Sequence, residues 1–261
     1  MAVLFGPVYS WRLGRALGID LVDSERKYCS FDCGYCPQGS RSHGVSRRRW
    51  FVGLSAVSAL LRTVTPEDAD CVVFAGGGEP TLAGNLADAV CLARSALGLP
   101  VAILTNSALL PRDDVKNDLA KADTVVCKLD AFDDESFIAI NRPTVPYTFT
   151  QILGALGEFR TSFVGKMVLQ IALVPENRPH ARRLAAIARE LCPDEVQLNL
   201  RAPWWSTGIT DDEIRRIHGS FSGLNVHCVH TDSPSWAQVS DTGHLEKSHP
   251  NAAVMLMGVA A

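Results

Sequence analysis

The chain has 261 residues, a formal net charge of −3 and a pI near 6.2, and 47% of its residues are hydrophobic. These values suit one large α/β domain, or one domain with small extensions, and they exclude a global electrostatic attraction to nucleic acid. No run of about eighteen apolar residues and no signal-like N-terminal segment occur, so we predict neither a membrane span nor export.

Eight cysteines are present, and five of them stand singly along the chain. A free thiol in or beside an apolar run behaves as a small hydrophobic side chain, and the chain carries no export signal. We therefore predict free thiols in a reducing cytoplasm. The single cysteines are Cys71, Cys91, Cys127, Cys192 and Cys228.

Apolar runs alternate with helical patterns along the chain, beginning with a strand predicted over 15–22. Helical spacing follows from Leu54, and later helices are predicted to begin near Asn85, residue 111, Thr148, Pro179 and Thr210. This alternation predicts a parallel sheet of about six β/α units with right-handed crossovers, which suits an incomplete barrel. The further strands are predicted over 71–75, 101–105, 124–129, 167–174, 195–200 and 225–229.

The loop after the first predicted strand carries Cys29, Cys33 and Cys36, at spacings of three and two intervening residues. A short turn with this spacing can direct three sulfurs to one point, as a metal or an iron–sulfur cluster requires. Structural zinc takes four protein ligands, whereas a site that performs chemistry keeps one position open. Three thiols therefore favour a reactive centre.

A glycine-rich segment, Gly76-Gly77-Gly78-Glu79, follows the strand predicted over 71–75. Residues without side chains let a ligand approach the backbone and leave amides free to bind it. Ligands of parallel sheets gather at the carboxyl ends of the strands, where this segment lies. The segment predicts a ligand-binding loop, and a turn selected for flexibility is the structural alternative.

Polar residues also end three later strands. Asn106 and Ser107 follow the strand predicted over 101–105, and their groups suit either a bound ribose or a helix N-cap. Lys128 and Asp130 end the strand predicted over 124–129 on one face, as ligand groups or as an ion pair at the barrel mouth. Asn199 ends the last clear strand.

The cysteine spacing, with Tyr35 directly before the last cysteine, resembles the cluster signature of the radical S-adenosylmethionine (radical SAM) superfamily. The run from Phe5 to Arg15, continued by Gly18-Ile19-Asp20, is similar to the branch that includes wyosine-forming tRNA enzymes and many Fe–S oxidoreductases. The resemblance covers roughly residues 3 to 205. It implies a single [4Fe-4S] cluster on the three cysteines and S-adenosylmethionine on the open iron. An external electron donor such as a flavodoxin or a ferredoxin would supply one electron, which releases a 5′-deoxyadenosyl radical.

The resemblance also implies a fold and a set of cofactor contacts. The fold is an incomplete (β/α)6 TIM-like barrel, and we expect it over 1–220, with 221–261 as a C-terminal strand and tail that close it. Gly77, Gly78 and Glu79, with Gly76 beside them, would contact the amino group of S-adenosylmethionine, and Lys128 its carboxylate, with Asp130 nearby. The remaining expected cofactor contacts are Tyr35, Asn106, Ser107 and Asn199.

The predicted function is radical chemistry, begun by hydrogen abstraction, on a small-molecule or nucleoside-like substrate. One alternative is tRNA modification of the wyosine type through Arg41 and the arginines of 47–49. The lack of a cysteine before Cys29 for a second cluster weighs against it. Another is a non-catalytic zinc- or cluster-binding module with a fourth ligand such as His43.

Three further features stay open at this point. Cys127 precedes Lys128 at a strand end and is a candidate for the residue that exchanges hydrogen with the substrate. The segment Asn141-Arg142-Pro143 recurs in the resembling branch, where either a loop lock or substrate binding would account for it. Gln170 lies inside an apolar strand, so it faces either the barrel interior or polar neighbours.

Overall fold

The computed structural model describes residues 3–10, 12–22, 27–36, 47–199 and 209–228. Within these residues the chain forms eight strands and seven α-helices. The strands are β1 Val3–Ser10, β2 Gly14–Asp20, β3 Cys71–Phe74, β4 Val101–Thr105, β5 Thr124–Lys128, β6 Lys166–Ala172, β7 Glu195–Asn199 and β8 Val226–Cys228. The helices are α1 Leu54–Leu61, α2 Leu86–Leu97, α3 Asp113–Leu119, α4 Asp134–Asn141, α5 Phe149–Ser162, α6 Ala181–Leu191 and α7 Asp211–Ser220.

The strands form one sheet in chain order from β1 to β8. β1 runs antiparallel to β2, and each later neighbour pair is parallel. The helices between β2 and β8 make six β/α units, so the predicted incomplete (β/α)6 TIM-like barrel is confirmed. The sheet described here is unclosed, with β1 and β8 at its edges.

The core lies between the sheet and its helices because each helix buries one apolar face. In α6 the buried side chains include Leu184, Ala188 and Leu191, which recur at helical spacing. β3 is buried at all four positions, as expected for a parallel strand covered on both faces. Packing of these faces fixes the carboxyl ends of the strands at one edge of the sheet.

Helix capping follows the sequence in α5, where Thr148 and Gln151 form a reciprocal capping box, and in α7, where Thr210 accepts from the Glu213 amide. Asn85 precedes α2 as predicted, but it does not cap the helix with its side chain. Its Nδ2 donates instead to the Val52 carbonyl at 2.8 Å, which ties the start of α2 to the loop before α1.

Two elements were not predicted. β1 carries Gly6-Pro7, a pair typical of turns, and α4 spans only two turns between polar segments. The strand predicted over 225–229 is present as β8, and it pairs with β7 within the same sheet. A division of the chain at residue 220 stays a prediction, and residues 229–261 lie outside the described part. No helix in the described residues is long and apolar enough to cross a membrane.

Candidate active site

A cavity that is open to solvent lies at the carboxyl edge of the sheet. All three cysteines of the loop line it, together with most of the predicted cofactor residues. Its polar and cysteine lining comprises Lys27, Cys29, Cys33, Tyr35, Cys36, Gly76, Gly78, Glu79, Thr105, Asn106, Lys128 and Gln170. The sequence-predicted strand ends therefore converge on one space.

The cysteine loop is fastened to the segment that follows α4. The Asp32 amide donates to the Asn141 carbonyl at 3.0 Å, and the Thr144 amide donates to the Ser30 carbonyl at 2.9 Å. Between these bonds Phe31 forms a β-bridge with Pro143. The Asn141-Arg142-Pro143 segment thus acts as a loop lock, which was one of its two predicted roles.

Each sulfur of the loop has its own nitrogen donor. Asn106 Nδ2 lies 3.4 Å from Cys29 Sγ, Asn141 Nδ2 lies 3.5 Å from Cys33 Sγ, and Lys27 hydrogen-bonds Cys36. Hydrogen-bond donors that are not themselves ligands orient metal-binding sulfurs and stabilise negative charge on them. This donor set therefore fits an anionic cluster held by three thiolates.

Burial has a large effect on the charges of this loop. It raises the pKa of Cys29 to about 12 and also raises the pKa of Cys33, so both thiols are neutral in the metal-free protein. Burial also acts against the charge of Lys27, but the neighbouring Cys36 and Cys29 raise its pKa overall. A cation is thereby retained beside the sulfurs.

The glycine loop is shaped by Asp20 at the end of β2 and by the backbone of Tyr28. Asp20 Oδ2 accepts the Gly77 amide at 2.8 Å, and Asp20 Oδ1 accepts the Val22 amide at 2.8 Å. A Cβ on Gly78 would lie 2.3 Å from the Tyr28 carbonyl oxygen. The loop therefore needs glycine at position 78 so that its backbone can pass the cysteine-bearing segment.

Glu79 is only 2% exposed, and both of its carboxylate oxygens are bound by neighbours. Oε1 accepts from Thr81 N at 3.0 Å, Thr81 Oγ1 at 2.6 Å and Thr105 Oγ1 at 2.7 Å, and Oε2 accepts from Asn106 N at 2.7 Å. Burial raises the pKa of Glu79, and these hydrogen bonds oppose the rise. Glu79 thus joins the glycine loop to the end of β4, besides lining the cavity.

Lys128, Tyr35 and Asp130 form a chain of contacts. Lys128 Nζ donates to Tyr35 Oη at 2.7 Å and lies 3.6 Å from Asp130 Oδ2, which also accepts from Tyr35 Oη. Burial and the Asp130 carboxylate raise the pKa of Tyr35 well above its ordinary value. The phenol is therefore neutral, and Lys128 lies at the cavity wall, which it shares with Lys27.

The other predicted residues take different positions. Ser107 is buried behind the wall in a left-handed conformation, with φ of 68°. Asp130 is also behind the wall, where its Oδ1 accepts the Ala172 amide at 2.8 Å. Asn199 is buried at the end of β7, and its carbonyl accepts the Leu173 amide. Gln170 faces the cavity from β6, opposite Lys128 in register.

The hydrogen-exchange role suggested for Cys127 is wrong. Strand alternation sends its neighbours Val126 and Lys128 to the cavity and Cys127 to the opposite face. There the thiol is fully buried in the main core, and burial raises its pKa to about 12. It does not reach a substrate bound in this cavity.

Three functional neighbours were missed from the sequence, namely Asp20, Lys27 and Thr105. Asp20 belongs to the quoted Gly18-Ile19-Asp20 run, and its position at the end of a strand is the signal that could have found it. Thr105 ends β4 directly before the predicted Asn106, and its hydroxyl donates to Glu79. For Lys27 the sequence offers only its place two residues before Cys29.

Comparison with known proteins supports the family resemblance of the cysteine motif. The family model described as Radical SAM superfamily matches residues 27–187. A UPF0026 protein of Synechocystis sp. is 34% identical over 197 residues, covering 75% of this chain and 74% of that protein. A UPF0026 protein of Methanocaldococcus jannaschii is 33% identical over 206 residues, covering 76% of this chain but only 63% of that protein.

Two solved structures share the fold at low identity. Native anSMEcpe with bound AdoMet aligns with a TM-score of 0.58 and 16% identity, covering 82% of this chain and 64% of its own. Archaeal TYW1 aligns with a TM-score of 0.55 and 13% identity, covering 81% of this chain and 72% of its own. By its family match and its fold, the chain belongs to the radical SAM superfamily.

Proposed function

We propose that this protein binds one [4Fe-4S] cluster on Cys29, Cys33 and Cys36 and uses it to cleave S-adenosylmethionine reductively. When bound, the cluster supplies one electron to the sulfonium and so starts radical chemistry. The observation that carries the proposal is that three cysteines without disulfides line the same cavity as Gly76, Gly78 and Glu79. The substrate we propose is a small organic or nucleoside-like molecule.

The chain's own residues would bind and orient the cofactor in this cavity. Gly76 and Gly78 line the cavity together with the three cysteines, and Glu79 Oε2 accepts only one hydrogen bond from the described residues. We assign Glu79 and this loop to the cofactor amino group. The Lys128 ammonium, anchored by Tyr35, is assigned to the carboxylate.

The remaining contacts follow from position. Asn106 is held at the cavity wall with its amide turned toward Ser30 and Cys29, so we assign its neighbourhood to the ribose side of the cofactor. Ser107 and Asn199 stay proposed contacts. Apolar wall residues such as Leu104 and Val126 exclude water from the space that the cofactor would occupy.

An external one-electron donor such as a flavodoxin or a ferredoxin would reduce the cluster and is the partner that the proposal requires. None of the eight cysteines forms a disulfide, which supports the reducing cytoplasm as the place of action.

The test is anaerobic reconstitution with iron and sulfide, followed by reduction in the presence of S-adenosylmethionine. We expect a brown protein that forms 5′-deoxyadenosine, and loss of both properties in Cys33→Ala. Cys192→Ala removes an exposed cysteine distant in sequence from the loop and should behave as the wild type. A colourless protein that carries stoichiometric zinc would instead support the binding-module alternative.

That alternative needs a fourth ligand, and His43 lies outside the described residues. Within the described residues no three His, Cys, Asp or Glu side chains are arranged to hold a single metal ion. A zinc module has no use for a glycine loop beside the thiols or for a lysine at the same cavity. The tRNA alternative depends on four arginines, of which Arg48 and Arg49 make contacts within the protein.

A further inference from the structure

Asn141 is the last residue of α4 and is 2% exposed. Its side-chain amide has two protons, and both are used. Nδ2 donates to Cys33 Sγ at 3.5 Å and to Asp130 Oδ2 at 3.1 Å. Its carbonyl meanwhile accepts the Asp32 amide from the cysteine loop. One side chain thus connects a cysteine sulfur to the acid that anchors Tyr35 and Lys128.

The position of Asn141 separates it from the residues assigned to the cofactor. It lies behind Cys33, and it is absent from the described lining of the cavity that holds the three thiols. Its side chain therefore acts on a bound group through Cys33 and Asp130. Asn106, the corresponding donor to Cys29, also lines the cavity, so its substitution would confuse two effects.

An N–H donor to a metal-bound sulfur stabilises the cluster state with more negative charge. One-electron reduction adds one negative charge to the cluster, and part of it is carried by the ligand sulfurs. Removing the donor therefore disfavours the reduced state. This reduction transfers one electron from the external donor named above, and it involves no proton transfer and no change of covalent bonds.

We infer that Asn141 is a positioning residue that holds Cys33 and raises the reduction potential of the cluster through its hydrogen bond to Cys33 Sγ. The inference rests on the proposed function, because it requires a cluster on the three cysteines. It concerns a residue to which neither the family match nor the cavity lining gives a role.

Asn177 offers a matched control. It is fully buried and also donates to Asp130, but to the backbone carbonyl, at 2.8 Å. Its other bonds hold the turn after β6, with Nδ2 to the Ala172 carbonyl and Oδ1 from the Val174 amide. Among the described residues, its side-chain hydrogen bonds go to Asp130, Ala172 and Val174 and not to a cysteine. Substitution of either asparagine would therefore loosen the end of β5, whereas only substitution of Asn141 removes the hydrogen bond to the sulfur.

The experiment compares wild type, Asn141→Leu and Asn177→Leu after anaerobic reconstitution and without S-adenosylmethionine. Iron and sulfide are measured first, and the cluster is then titrated redox-potentiometrically with detection by electron paramagnetic resonance. For Asn141→Leu we expect full iron content and at least a tenfold lower ratio of reduced to oxidised cluster at a fixed potential. That ratio corresponds to a midpoint about 59 mV more negative for a one-electron couple. Asn177→Leu should keep the wild-type midpoint.

A midpoint unchanged in Asn141→Leu, or shifted equally in Asn177→Leu, would overturn the inference while leaving the proposed function intact. A wild-type protein that holds no cluster would overturn both. If Asn141→Leu does not fold, Asn141→Ser serves in its place, because its shorter side chain is polar but does not reach the sulfur. The same negative shift is expected for it, and its absence counts against the inference.

Discussion

The carboxylate of Asp20 fills the space next to Gly76 in which a larger residue would place its side chain. A Cβ built on Gly76 would lie 2.0 Å from both Cγ and Oδ2 of Asp20. The same carboxylate accepts the amide of the next residue, Gly77, at 2.8 Å. β2 therefore sets the path of the glycine loop, and the glycine is required for a close approach of backbone to an acid.

Gly76→Ala should damage the site because Asp20 or the loop must move to admit the methyl group. We expect a loss of about 1–3 kcal/mol in the free energy of unfolding, typical of overpacking, and at least tenfold weaker binding of S-adenosylmethionine to the reconstituted protein. Chemical denaturation and isothermal titration calorimetry measure the two effects.

Gly154→Ala is the control for this substitution. Gly154 lies inside α5, and an added Cβ there would meet nothing within 4 Å. Alanine should stabilise the helix by about 0.5–1 kcal/mol and leave cofactor binding unchanged. Wild-type affinity in Gly76→Ala would mean that the loop does not need its path along Asp20 for binding.

The sequence predicted the barrel and most of the cavity because both depend on local patterns. Buried parallel strands such as β3 read as continuous apolar runs, and their polar ends must share one edge of the sheet. Gly78, Glu79 and Lys128 were found in this way. Alternation along a strand also excludes Cys127 from the cavity, because its neighbour Lys128 is predicted to face the cavity.

Contacts between distant parts of the chain were not predictable. The bond from Asn141 to Cys33 spans 108 positions, and that from Asn106 to Cys29 spans 77. Both depend on how α4 and β4 approach the cysteine loop, which no local pattern encodes. Glu79 illustrates the same limit, because the sequence offered it as a ligand group but could not show that Thr81, Thr105 and Asn106 already bind it.

Lys128→Met tests the carboxylate contact. The substitution removes the ammonium that Tyr35 holds at the cavity wall and retains much of the aliphatic chain. Loss of a charge-assisted hydrogen bond is worth about 1.5–3 kcal/mol, so we expect roughly 10- to 150-fold weaker binding of S-adenosylmethionine with unchanged iron content. Lys116→Met on the outer helix α3 is the control and should retain wild-type affinity. Equal affinities in both variants would mean that Lys128 does not contact the cofactor.

Glu79 should make stability depend on pH in a direction opposite to most carboxylates. Its folded pKa is raised above the ordinary value by burial, so the folded state binds the proton more tightly than the unfolded state. The stability it contributes is present below the unfolded pKa and is lost as the pH rises through the folded one. Each unit of pKa difference corresponds to about 1.4 kcal/mol.

The measurement is denaturant unfolding of wild type and Glu79→Gln at several pH values from about 4 to 8. Carboxylates common to both proteins cancel in the difference. We expect the free energy of unfolding of wild type, minus that of Glu79→Gln, to decrease as the pH rises. An increase with pH would mean that the four hydrogen bonds to Glu79 outweigh its burial and depress its pKa.

The arginines of 47–49 provide a test of the tRNA alternative, and the structure already assigns two of them to internal contacts. Arg48 pairs with Asp114 at 2.8 Å and with Asp118, and it donates to the Thr81 and Ala83 carbonyls at 2.9 Å each. The Arg49 guanidinium stacks 4.5 Å from the Tyr28 and Phe51 ring centres. Arg41 lies outside the described residues.

Arg48→Ala should therefore lower the free energy of unfolding by about 1–3 kcal/mol, because it leaves buried acceptors and partly buried acids without their donor. Arg47→Ala, at an exposed position in the same run, should leave stability unchanged. If the arginines of 47–49 bound tRNA phosphates, each variant would lose one phosphate contact. The slope of the logarithm of tRNA affinity against the logarithm of salt concentration would then decrease in magnitude by about one. We expect no change in that slope for Arg47→Ala, measured by filter binding at several salt concentrations. A decrease of one unit there would support tRNA as a binding partner, because it corresponds to the loss of one phosphate contact.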